Sequence, residues 1–166
     1  MQPPSLDTEA RNVQNAAFGA VILAAFVQGF YEADETKQGV PLPYLFLVLP
    51  IVLHSDIYRL LSATKPSLRH MAEKFASAEY AGTDLLLSLN GSAQRLRKLT
   101  ADSLGVLFLT GLAKMDSKRA RVMPRKVRQF SRRPDVPDEA EESRKLGKWF
   151  AQLSAFEIGS ILKVTF

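Results

Sequence analysis

The chain has 166 residues, 46% of them hydrophobic and 23% charged, so one globular domain with a true core is expected. It has no cysteine, which excludes disulfides, thiolate metal sites and thiol catalysis; its two histidines, His54 and His70, have no partner at metal-ligand spacing. The formal charge of +5 is concentrated: nine basic residues and one acid, Asp116, lie between Lys114 and Arg133, and such a patch argues for a partner of opposite sign.

From the N-terminus, Asp7 or Thr8 can cap a first helix running to about Ala33. Residues 16–30 and 40–53 carry no charge, so each needs a membrane test. Both fall short of the roughly 20 apolar residues of a spanning helix. The second contains Pro41, Pro43 and Pro50, and the acids Asp7 and Glu9 ahead of the first do not suit a secretory leader. The reading is two helices buried in protein in a cytoplasmic chain with no membrane partner; a membrane hairpin is the alternative. A short helix follows Ser55. Leu68, Met71, Ala72 and Phe75 then stand at i, i+3, i+4 and i+7, the spacing of one buried helix face. The next helical stretch is broken at Asn90-Gly91.

Thr100 is read as the cap of an apolar helix over 101–110, with Asp102 in its first turn and Gly111 as the left-handed residue after its end. From Leu112 the period becomes two on either side of a turn at Ser117-Lys118, which predicts a β-hairpin. Residues 128–137 read as a linker with Pro134 and Pro137. Acids at 138–142 then open a helix in which Leu146, Trp149, Phe150 and Leu153 form a core face. Ser154 and Glu157 form a capping box for a last helix, with Ile158, Ile161 and Leu162 inward. The expected architecture is mostly α: a single domain over 1–166, with N-terminal apolar helices over 1–62 and a winged-helix-like part over 63–127. That part is a degenerate helix plus a hairpin wing. After the linker at 128–137 come C-terminal helices over 138–166.

A helix followed by a basic hairpin is the layout of a winged-helix DNA reader. Such a reader needs polar side chains on its recognition helix. Here that helix holds Leu104, Val106, Leu107, Phe108 and Leu109, with only Asp102, Ser103 and Thr110 as polar groups, so it is expected to pack away from solvent. The hairpin and the segment after it retain cations for phosphate contact without base reading: Lys118, Arg119, Arg121, Arg125, Lys126, Arg128, Arg132 and Arg133. Three readings stay open for them: a solvated charged surface, an acidic protein partner, or non-specific nucleic-acid contact. The acids from Asp135 to Glu142 folding back would favour the first. No glycine-rich phosphate loop is present and no nucleophile stands beside a base, so no enzyme activity, cofactor or metal is predicted. His54 is expected at a helix end bonding backbone groups, His70 on an exposed helix face.

Several blocks in order carry a resemblance: "NAAF" (15–18), "LPYLFLVLPIVLH" (42–54), "TADSLGVLFLTGLAKMDSKRARVMP" (100–124), "LGKWFAQL" (146–153) and "FEIGSILKV" (156–164). Together they resemble the middle component of bacterial three-component ABC ATPase systems over nearly the whole chain. The resemblance implies a small, non-catalytic adaptor. Its partners would be an ABC-type ATPase of the SMC or Rad50 kind and a larger third component, in systems directed against phage or plasmids. It transfers no catalytic residue.

Overall fold

The computed structural model describes residues 15–77, 82–125 and 136–166, without the side chains of 75, 76, 82 and 83. Among these the architecture is mostly helical, with eight helices and one small antiparallel sheet in a single domain. The expected cap at Asp7 or Thr8, the side chain of Phe75 and linker residues 128–135 lie outside the described set.

Helix α1 (Ala16–Ala33) is the axis of the fold. Asn15 caps it, its Oδ1 accepting from the N–H groups of Ala17 and Phe18 at 2.9 and 3.3 Å. The helix is apolar nearly all round and is buried from Gly19 to Phe30 except at its half-exposed Val21 position. It is long and apolar enough to cross a bilayer; here its surface packs on α6 (Arg97–Leu109), α7 (Asp138–Ala151) and the sheet.

The α1–α7 crossing depends on two glycines. A Cβ on Gly29 would overlap the Arg144 carbonyl, and one on Gly147 would overlap the Phe26 carbonyl and lie 2.8 Å from the Phe30 nitrogen. The obstacles are backbone atoms, which cannot rotate away. Ser143 Oγ donates to the Ile22 carbonyl at 2.8 Å across the same contact. At its end, Arg144 Nη2 donates to both Glu32 oxygens at 2.8 Å, and Lys148 stands 3.3 Å away. Burial pushes the Glu32 carboxyl up, but Arg144, Gln28 and Lys148 outweigh it and hold it below the usual range. Phe150 meets Phe26 and Tyr44 edge-on at 5.3 and 5.7 Å, and Trp149 is buried, so this aromatic pair belongs to the core as the periodicity predicts.

Helices α2 (Leu42–Val52) and α3 (Ser55–Ala63) bend by 97° at Leu53-His54. Pro43 sits in the first turn of α2, while Pro50 lies within the helix near its end. His54 precedes α3 but makes no side-chain cap, and its Nδ1 is buried without a partner among the described residues, contrary to expectation. Lys145 on α7 closes the other end of α3, donating to the Leu61 and Thr64 carbonyls at 2.7 and 3.1 Å. Helix α4 (Leu68–Ser77) buries Leu68 and Met71. His70 is exposed, paired with Ser67 Oγ at 2.9 Å.

Helix α5 (Gly82–Arg95) runs through Asn90-Gly91, where a break is expected from sequence. Gly91 is tolerated inside a helix, and Asn90 Nδ2 is engaged by the Lys163 carbonyl at 3.1 Å. Helix α8 (Ala155–Leu162) opens on the predicted Ser154–Glu157 capping box.

The sheet has the order β1-β3-β2, from β1 (Val40–Pro41), β2 (Ala113–Asp116) and β3 (Arg121–Pro124). The hairpin β2–β3 is as predicted, although its turn spans residues 117–120. Strand β1, pairing Val40 with Val122, is two residues long and leaves no periodic signal. Asp34 places it: its carboxylate accepts from Thr36 N and Oγ1, Gln38 N and Gly39 N at 2.7–3.3 Å. Burial pushes this carboxyl up, and the donors from Thr36, Gly39 and Gln38 more than reverse it.

Candidate partner interface

Helix α6 leads into the hairpin, the layout predicted from the sequence, but it begins earlier than expected. Leu96 breaks it from α5, and Thr100 is an interior residue whose buried hydroxyl has no partner among the described residues. Asp102 is therefore past the first turn, where it pairs with Lys98 at 2.7 Å, one turn back. Gly111 has the predicted left-handed backbone, φ +69°.

The expectation that Leu104 to Leu109 all pack away from solvent needs correction. Leu104 and Leu107 are buried and Val106 and Phe108 are half-buried, but Leu109 is 89% exposed. The reason is geometric. From Leu104 to Leu109 the helix is apolar on every side, and its neighbours among the described residues, α1 foremost, cover only part of its circumference. Ala101, Gly105 and Leu109 follow one another at i+4 steps on the remainder. This row from Ala101 to Leu109 carries no hydrogen-bonding side chain for base edges; the exposed polar groups Arg97, Lys98 and Asp102 sit toward the start of the helix, with Lys98 and Asp102 paired to each other.

The hairpin tip is ordered by Asp116, whose Oδ1 accepts from the N–H groups of Lys118 and Arg119 at 3.1 and 3.3 Å. Those two side chains project into solvent. Arg125 is exposed, and its guanidinium lies beside Gly111, two residues from Leu109. Arg121 behaves differently: it is half-buried and donates to the Gly39 carbonyl at 2.8 Å, tying β3 to the segment before β1. Lys126, Arg128, Arg132 and Arg133 lie outside the described residues. Lys114 on the edge strand β2 is exposed too, and Lys114, Lys118, Arg119 and Arg125 form no ion pair among the described residues. On α7, Glu142 pairs with Lys145 at 2.5 Å, a local bond within its own helix.

The family model described as ABC-three component (ABC-3C) system Middle Component 3 matches residues 4–166. The chain belongs to this family. The match spans the blocks on which the sequence resemblance rests, and it covers helix α6, the hairpin and both C-terminal helices of this Middle Component 3 member. No curated protein and no solved structure matches the chain.

Two features of this family member escape a reading of charge alone. One is Leu109; a helical projection places it on the side opposite Leu104 and Leu107. The other is a mostly apolar groove of about 390 Å³ between α2, α5 and the C-terminal segment, where Phe46, Leu47, Ala93 and Val164 line the walls. Phe166 closes part of it, its ring 5.1 Å from that of Tyr44. Among the described residues no group of three His, Asp or Glu gathers at metal-binding distance.

Proposed function

We propose that this chain is a non-catalytic adaptor in the cytoplasm of a bacterium. It joins an SMC- or Rad50-like ABC-type ATPase to a larger third component in a system that acts against phage or plasmids. The observation that carries the reading is the family match over residues 4–166, since that family is described as the middle component of an ABC-three component system. The surface supports it: an exposed leucine lies beside ordered cations that make no ion pair among the described residues. Apolar exposure next to unpaired charge is the composition of a protein-binding patch with a polar rim.

The experiment is co-purification of the full chain with the other two components, before and after the triple change Lys118→Glu, Arg119→Glu, Arg125→Glu. Arg121 is spared because it ties β3 to the Gly39 carbonyl. Wild-type chain retained in a complex that the triple variant leaves supports the adaptor. Wild-type chain that joins neither component refutes it.

Non-specific nucleic-acid contact is the second reading, favoured by the same exposed Lys118, Arg119 and Arg125. It requires duplex affinity that falls with salt by about 0.9 log units per phosphate contact for each log unit of salt. Loss of that affinity in the triple variant, with complex formation intact, would assign the hairpin cations to nucleic acid and leave the adaptor role to another surface.

A further inference from the structure

At the α1–α7 crossing, glycines stand where a neighbouring backbone comes close: Gly29 against Arg144, Gly147 against Phe26 and Phe30. Gly105 does not fit that pattern. It lies in the interior of α6, yet a Cβ built on it would meet nothing within 4 Å among the described residues. Glycine is among the least favourable residues for a helix interior, so the position carries a helix cost for which no contact among the described residues gives a reason. One turn before it is Ala101 and one turn after it is Leu109, the most exposed large apolar side chain among the described residues.

We propose that this outer face of α6 receives an acidic, amphipathic helix from a partner protein, with the hairpin cations as its rim. The proposal rests on the adaptor reading above and names the surface and the chemistry of its occupant. Gly105 lets a second helix axis approach as closely as α7 approaches α1 at Gly29 and Gly147. Leu109 supplies the apolar anchor. Charge selects the occupant. Asp102 is paired with Lys98, Asp116 is engaged by the turn N–H groups, and Lys114, Lys118, Arg119 and Arg125 form no ion pair among the described residues. A cationic rim favours acidic residues flanking the partner's apolar stripe. The same rim disfavours a second copy of this chain, which would bring like charges together.

The test uses the full chain and, as probe, the other two components of its three-component system, co-expressed. Gly105→Ala is expected to raise the Tm of the free chain, because the helix gains and nothing is displaced. The same change is expected to weaken capture by about tenfold or more, because the added methyl holds the partner axis off. Leu109→Glu should leave the Tm of the free chain within a few degrees of wild type and abolish capture. A purely structural role for Gly105 cannot produce that opposition of sign. Capture at wild-type strength by both variants overturns the proposal while leaving the adaptor reading standing. Binding of anionic phospholipid vesicles or duplex DNA that shares the variants' sensitivity, without capture of either component, overturns the proposal. A wild-type chain that captures neither component refutes the adaptor reading, and the proposal with it.

Discussion

Two of the helix surfaces that carry glycine differ in whether anything among the described residues fills the space. Where α7 crosses α1, Gly29 and Gly147 admit backbone into contact, and Ser143 and the Glu32–Arg144–Lys148 cluster fasten the crossing. On the outer face of α6, Gly105 meets no atom among the described residues and Leu109 is exposed. The inner surface is complete within one chain. The outer one has the same small-residue device and an apolar anchor, with no neighbour among the described residues. Apolar sequence alone therefore does not make a buried helix; an opposing surface must also exist.

The sharpest way to break the contrast is at the inner surface. Gly147→Ala drives a methyl into the Phe26 carbonyl, and the crossing must open. We expect a loss of about 3 kcal/mol or more, read by denaturant unfolding. A near-neutral result would mean the crossing is not close-packed.

The next effect belongs to the charge cluster at the same crossing. The Glu32 carboxyl has a folded pKa below its unfolded value. Its contribution is thus fully present above the unfolded value and is lost as pH falls toward the folded one. Unfolding free energy of wild type and Glu32→Gln, measured from pH 7 down to pH 3, should show the variant less stable by about 1–3 kcal/mol at neutral pH. The two curves should converge in acid; parallel curves would contradict the assignment.

Smaller changes sharpen the outer surface. Gly105→Ala should stabilise the free chain by about 1 kcal/mol. Leu109→Ser should stay within about 0.5 kcal/mol of wild type, since the side chain is solvated already. A large loss from either would show that this face is packed within the chain.

The sequence made much of the inner surface legible, because helical spacing reports burial directly: Leu146, Trp149 and Phe150 are core as their period predicts. The hairpin was legible from its change of period, Gly111 from its place after a helix, and Ser154–Glu157 from its capping chemistry. Strand β1 was not legible, because two residues have no period and its placement comes from a local turn around Asp34 and a distant bond from Arg121. The role of Thr100 was misread because a residue that caps well also fits a helix interior, where tertiary contacts decide. Of the candidate contacts, residue type predicted the exposure of Lys118, Arg119 and Arg125. It could not foresee that Arg121 would turn to a backbone carbonyl. Leu109 was counted as buried because composition does not say which side of a helix lacks a neighbour.

The most direct test of the central claim is amide hydrogen exchange on the full chain, free and in complex with the other two components. The account predicts that bound chain gains protection over 101–109 and the turn at 117–120, while the α1–α7 crossing, protected in both states, does not change. Protection appearing elsewhere, with 101–109 exchanging alike in both states, would contradict it.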